Sequence, residues 1–251
     1  MVERMDSGSA ARGWGASVAR IPGVAVMLAV MIAVFALMSP GFTRIENLSN
    51  VMLQSVVLLL IALPMTLIIM TEGIDLSMGA MLTVVTIVYA LVLLATQSFV
   101  IALLAVLAAG VSLGLANGVL VARVGMPPFV VTLGTMGVWQ GLSLILSNGQ
   151  SVVGLPREAQ FAYSGSVLGV PVPLILAAVC YASIHWMLYH SRFGVCVVAL
   201  GGNREALRQA GVNDKLVLAS VYALGGLVVG LAAPVFCARI NAAALIRAQN
   251  T

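Results

Sequence analysis

The 251-residue chain is 61% hydrophobic and only 8% charged, with a formal net charge of +4. An average soluble domain carries roughly 25% charged residues, so this composition excludes a water-facing globule. The positive charge does not indicate nucleic acid either, because the basic residues sit in gaps between apolar runs and form no contiguous face with interleaved aromatics.

Crossing about 30 Å of hydrocarbon takes about 20 mainly apolar residues in a helix, and about seven runs meet that need. They predict an all-α fold, a polytopic helical membrane protein embedded in a lipid bilayer. The expected organisation is a cytoplasmic N-terminal segment over 1–20, a transmembrane domain over 21–236 and a short tail over 237–251. The first span covers 21–38. A basic segment before an apolar run is also how a signal peptide opens; here the run ends in Ser39-Pro40-Gly41 without a small-x-small cleavage site and is read as a retained span. The second span, 48–70, contains Pro64, which frees a carbonyl and kinks a helix unless neighbours satisfy the group. The third, 76–96, and the fourth, 99–121, are separated only by Gln97-Ser98, which predicts a tight turn. The fifth follows Pro127-Pro128 and reaches 146. A Gly-, Ser- and Pro-rich connection over 147–173 leads to the sixth span, 172–189, and the seventh covers 216–236.

Gly110, Gly114 and Gly118 share one face of the fourth span, and Gly137/Gly141 and Gly226/Gly230 repeat the four-residue spacing. In lipid, small residues so spaced let helices pack backbone to backbone. Placing the N-terminus inside and alternating strictly puts Arg4, Arg12, Arg20, Arg123, Arg192, Arg204, Arg208 and Lys215 in the cytoplasm. Arg44, Arg157, Arg239 and Arg247 fall outside, so the bias follows the positive-inside rule. The polar stretch 190–215 then forms a cytoplasmic loop within reach of a soluble partner.

Polar residues near the spans are the functional candidates. Thr71 to Gly79 interrupts the apolar sequence with Glu72, Gly73, Asp75 and Ser77. Carboxylates beside a membrane are costly unless they face water or a partner. Two readings stay open: a turn in which Asp75 or Ser77 caps the third helix, or a broken element lining a translocation path, where irregular backbone is tolerated. Asn117, Gln140 and Gln54 lie well inside spans, where bonding between helices outweighs contact with a substrate. Cys180, Cys196 and Cys237 are odd in number and read as small buried hydrophobes. His185 and His190, beside Trp186 and Tyr189, suggest an interfacial belt. No catalytic residue, metal site, cofactor or ATPase motif is expected, so the chain reads as a non-enzyme.

Three blocks of residues carry a resemblance to a known family. Pro64-Met65-Thr66 through Gly73-Ile74-Asp75-Leu76-Ser77-Met78-Gly79 is similar to a proline-containing helix followed by a Gly-Ile-Asp-Leu-Ser segment. Asn117-Gly118 with Pro127-Pro128-Phe129-Val130-Val131-Thr132-Leu133-Gly134 matches an Asn-Gly and Pro-Phe-Ile-x-Thr-Leu-Gly signature. Ala199-Leu200-Gly201-Gly202-Asn203 through Gly211-Val212 completes the set. In this order they resemble the permease subunits of bacterial ABC importers for sugars, the ribose, xylose, arabinose and autoinducer-2 group.

The resemblance implies a permease of the bacterial inner membrane that passes a sugar or related small polar solute. It implies a second permease copy, a cytoplasmic ATP-binding subunit that hydrolyses ATP, and a periplasmic solute-binding protein. It draws Pro64, Glu72, Gly73, Asp75, Ser77, Asn117 and Thr132 into a candidate translocation path or helix break. It also implies a short cytoplasmic helix that docks on the ATPase, with a Glu-Ala-Ala then Gly pattern that Glu205-Ala206-Leu207 and Gly211 match in part. Asn203 is suited to cap such a helix at Arg204, and Gly211 to end it after about two turns; Arg208 lies between them. Glu72 departs from the small residue usual in the family. The chain also stops soon after Arg239 without the family's further spans, so a non-functional truncated permease is an alternative expectation. An ion- or proton-coupled secondary transporter, with ionisable pairs at the midplane, is the rival from another class.

Overall fold

A computed structural model describes residues 23–150, 152 and 154–249. The basic N-terminal segment with Arg4, Arg12 and Arg20 lies outside the described residues, as do the side chains of Arg157 and Arg247. Ten α-helices follow one another among the described residues: α1 Gly23–Met38, α2 Ile45–Met70, α3 Met78–Thr96, α4 Phe99–Val119, α5 Pro128–Ser147, α6 Arg157–Ser164, α7 Val172–His190, α8 Arg192–Gly202, α9 Arg204–Gln209 and α10 Asp214–Gln249. A π-turn at Leu120–Val124 extends α4, and a two-stranded antiparallel hairpin, β1 Ser166–Val167 with β2 Val170–Pro171, interrupts the 147–173 connection. The chain is thus an all-helical, multi-pass membrane protein.

Six of these helices are long and apolar enough to cross a membrane, among the described residues. About seven were expected from the sequence. The remaining run, expected over 21–38, is described from Gly23 onward as α1, an apolar helix of 16 residues. The stretch 190–215, expected as a loop with a short helix from Arg204, contains that helix as α9 and a further helix, α8. Val197 and Leu200 of α8 are buried, which an open polar loop would not allow. α10 continues as helix past Phe236, where the seventh span was expected to end, although its span-like part stops at Ile240.

Among the described residues, those from Gly23 to Met52 belong to one compact unit and those from Leu53 onward to a second. In the first, Phe35 stacks on Phe42 at 5.7 Å between ring centroids, and the Asn47 amide donates to the Phe42 carbonyl at 2.8 Å. The second is organised on α10, which packs against α3, α4 and α6. Its closest approach is to α4. A Cβ added to Gly118 would lie 2.9 Å from Ala219 Cα, and one on Gly114 would lie 3.0 Å from the Gly226 nitrogen. Only glycine permits such a crossing, where lipid supplies no hydrophobic drive between helices. Gly137 and Gly141, expected to pack in the same way, have nothing within 4 Å of an added Cβ. Spacing alone did not reveal which glycine faces meet a partner.

Candidate functional site

The interruption after α2 is built as a helix stop. The amides of Gly73 and Glu72 donate to the carbonyls of Ile68 and Ile69, each at 3.0 Å. This is the paired pattern of a Schellman motif, whose left-handed position normally holds glycine. Here Glu72 occupies it with φ 61°. Pro64 does not break the helix. It is buried inside α2, which runs on to Met70, and it lines an apolar cavity of ≈ 350 Å³ with Leu67, Cys180 and Leu231.

Beyond the stop, four polar candidates meet. Asp75 is 2% exposed and its Oδ1 accepts from the Ser77 amide at 2.8 Å and from the Ser77 hydroxyl at 2.6 Å. The Asn117 amide of α4 donates to Ser77 Oγ at 2.8 Å and to Asp75 Oδ2 at 3.5 Å. Thr132 of α5 donates to the Ile74 carbonyl at 3.1 Å. Ser77 stands at the N-cap position of α3, but its hydroxyl makes no cap bond to a first-turn amide; it donates to Asp75 and accepts from Asn117 instead. Burial pushes the Asp75 carboxyl above its ordinary range, and the donors on Ser77 and Asn117 oppose the shift. Asp75 lies in the connection, outside the spans on either side.

Two residues absent from the sequence candidates complete the enclosure. A Cβ on Gly73 would lie 3.0 Å from the Tyr222 hydroxyl of α10, and one on Gly201 of α8 would fall inside the envelope of the Met70 carbonyl oxygen. The Tyr222 hydroxyl and Asn117 Oδ1 are buried without a hydrogen-bond partner among the described residues. No local pattern marks Tyr222, and Gly201 stood in the third block of the resemblance without a role at the break; only the chain crossings make them its neighbours.

The second candidate set forms α9. Asn203 Oδ1 accepts from the Ala206 amide at 2.9 Å, which caps the helix start. At the other end Gly211, with φ 79°, donates to the Arg208 carbonyl at 2.9 Å, and the Val212 amide donates to Leu207 at 3.3 Å. This is a second Schellman stop, with glycine in the expected seat. Leu207 is buried while Arg204, Glu205, Ala206, Arg208 and Gln209 are exposed. The Asp214 carboxylate takes charge-assisted bonds from Arg204 Nε at 2.6 Å and Arg208 Nη2 at 3.0 Å. Those bonds hold the Arg208 guanidinium pKa above its usual value.

A polar cavity of ≈ 530 Å³ brings the two sets to the same end of the bundle. Glu72 and Thr71 line it on one side, Arg123 and Pro127 on another, and Arg204, Arg208 and Lys215 on a third. Glu72 therefore faces this cationic cavity, apart from the buried cluster of Asp75, Ser77, Asn117 and Thr132.

Comparison with known proteins places this architecture. The family model described as "Branched-chain amino acid transport system / permease component" matches residues 47–250. The ribose import permease protein RbsC of Escherichia coli (strain K12) is 36% identical over 87% of this chain and 69% of its own length. The D-allose transport system permease protein AlsC of the same strain is 34% identical over 88% of this chain and 68% of its length. The autoinducer 2 import system permease protein LsrC of Escherichia coli (strain K12 / DH10B) is 31% identical over 85% of this chain and 64% of its length. No solved structure matches the chain. On a family match over most of its length, and on relatives at this identity, the chain belongs to the branched-chain amino acid transport system / permease component family of membrane permeases.

Proposed function

We propose that the chain is the permease subunit of an ATP-binding-cassette importer, passing a sugar or related small polar solute across the bacterial inner membrane. The N-terminus is cytoplasmic, and α9 is the helix on which a separate ATP-binding subunit docks. A second permease copy forms the other half of the path, and a periplasmic solute-binding protein delivers the solute. ATP hydrolysis belongs to the docked subunit.

The observation that carries this reading is α9 itself. A six-residue helix is unstable alone in water, yet this one is capped at both ends and anchored by a single buried Leu207. Every other side chain of α9 is left exposed. Such a helix is arranged to be met by a partner. Asp75, Ser77, Asn117 and Thr132 act as the hinge at which the path can change shape, since the backbone there is irregular and held by three helices. The names of the ribose and allose permeases support a sugar as the solute.

Co-purification tests the docking. Replacing Glu205 by Ala and Gly211 by Ala together should abolish capture of the ATP-binding subunit while membrane insertion stays intact; normal capture would remove the assignment. Uptake of ribose or allose into proteoliposomes should require ATP and survive a protonophore. Uptake abolished by the protonophore would favour a secondary transporter.

A further inference from the structure

A two-turn helix at the surface cannot by itself move a membrane interior. Building on the docking role of α9, we propose that Asp214 is a positioning residue that locks α9 to α10, so that α8, α9 and the first turns of α10 act as one lever on the helix break at 71–77.

The lock has two prongs. Arg204 and Arg208 stand one turn apart on α9 and both bond the same carboxylate oxygen, at 2.6 and 3.0 Å. One arginine alone would leave α9 free to pivot about the contact, whereas two fix its rotation. Surface ion pairs are ordinarily weak because water competes for both partners. Here the arginine side chains are 43% and 47% exposed but the carboxylate is only 8% exposed, so its side of the contact is shielded. The Glu205–Arg208 pair, at 3.8 Å between largely exposed groups, is the ordinary kind. Asp214 is itself immobilised as the first residue of α10, where Asn213 Oδ1 accepts from the Lys215 and Leu216 amides at 3.1 Å each.

The lever reaches the break at two points. Two turns along α10, Tyr222 is 1% exposed and abuts Gly73. On the other arm, Gly201 at the end of α8 rests on the Met70 carbonyl, with Thr71 Cα 3.6 Å from its added Cβ. Neither contact has a flexible side chain on the break's side to absorb motion. The break is also the deformable part: it carries Glu72 in a left-handed conformation that side chains adopt at a cost. A push or twist on α9 is therefore passed to Thr71–Gly73, and from there to the bonds that Asp75 and Ser77 make with Asn117.

Hydrogen–deuterium exchange on the full chain in nanodiscs, with no partner present, tests the lever directly. Asp214→Asn should speed exchange about tenfold in residues 204–212 and also in 71–77, while the α4 and α10 amides at the glycine crossing keep wild-type protection. Asp214→Glu, which keeps a carboxylate for both arginines, should hold near wild-type protection in both segments. Faster exchange in 204–212 with 71–77 unchanged would overturn the proposal, as would a loss of protection in Asp214→Glu equal to that in Asp214→Asn. If Asp214→Asn does not fold, Arg204→Gln with Arg208→Gln removes the same bonds from the exposed side and is read in the same way. In proteoliposomes with the ATP-binding subunit, Asp214→Asn should still capture that subunit but hydrolyse ATP without uptake; unaltered uptake would refute the lever. Failure of the docking role would show separately, as normal capture by the Glu205/Gly211 double variant while the exchange linkage persists.

Discussion

Replacing Gly114 with alanine should force α4 and α10 apart. The new Cβ would lie 3.0 Å from the Gly226 nitrogen and 3.1 Å from Gly226 Cα, and inside the envelope of the Tyr222 carbonyl oxygen. Favourable separation of such atoms is about 3.5–4.0 Å, so the helices must part by about 0.5–1 Å, a gap that forfeits a quarter to a half of each dispersion contact. At 0.1–0.2 kcal/mol per atom pair, some 40 pairs along the crossing lose roughly 1–4 kcal/mol in total. Against this, alanine gains about 1 kcal/mol over glycine in helix propensity. The expected net loss is about 0–3 kcal/mol, which leaves Gly114→Ala about 1–4 kcal/mol less stable than an alanine placed where no crossing opposes it. Reversible unfolding of the purified chain in mixed micelles, titrated with sodium dodecyl sulfate, measures it. Gly141→Ala is the control, because nothing lies within 4 Å of its Cβ; it should be neutral or stabilised by up to about 1 kcal/mol. Equal stability of Gly114→Ala and Gly141→Ala would refute the packing argument.

The same unfolding titration should find Glu72→Gly more stable by about 1 kcal/mol, since glycine fits the left-handed seat of the α2 stop without steric cost. Asp75→Ala strips the acceptor from the Ser77 amide, the Ser77 hydroxyl and Asn117, and should cost about 3 kcal/mol. Asp75→Asn keeps one acceptor oxygen and should lose less, with proteolytic nicking between 71 and 77 reporting the local opening. Asn203→Ala should destabilise α9 by about 1 kcal/mol, visible as faster exchange of the Ala206 amide, whereas Asn203→Asp should not. Gly211→Ala should weaken the same helix by about 1–2 kcal/mol because φ stays positive, and Gly211→Asn by less.

Features written in neighbouring residues were the ones legible in the sequence. Apolar runs predicted five of the long helices to within a few residues of their ends. Asn203 and Gly211 marked the limits of α9, because caps act on amides and carbonyls within one turn. The Asp75 segment was recognisable as an interruption, since charge between apolar runs has few inexpensive places to go. Reading 190–215 as a loop with one short helix missed α8 for a physical reason. Its apolar positions, Val197 and Leu200, are too few for a span yet sufficient to seat α8 against the bundle.

Pro64 shows the limit in another form. The second span was expected to run through it to 70, and α2 does so, but the stop after Met70 depends on Glu72 in a left-handed conformation that no propensity predicts. The glycine patterns of α4 and α5 look alike in sequence, yet only those of α4 meet α10. The bond of Thr132 to Ile74 spans 58 residues of chain, and the contact of Tyr222 with Gly73 joins elements farther apart still. The amino-acid sequence by itself determined a membrane bundle, its caps and its polar interruptions, because lipid and local hydrogen bonding constrain each short segment independently. Which of those segments touch was decided only by the tertiary structure. Close approach of helices depends on how whole surfaces fit, and that brought α9, Asp214, Tyr222 and the break into one connected set.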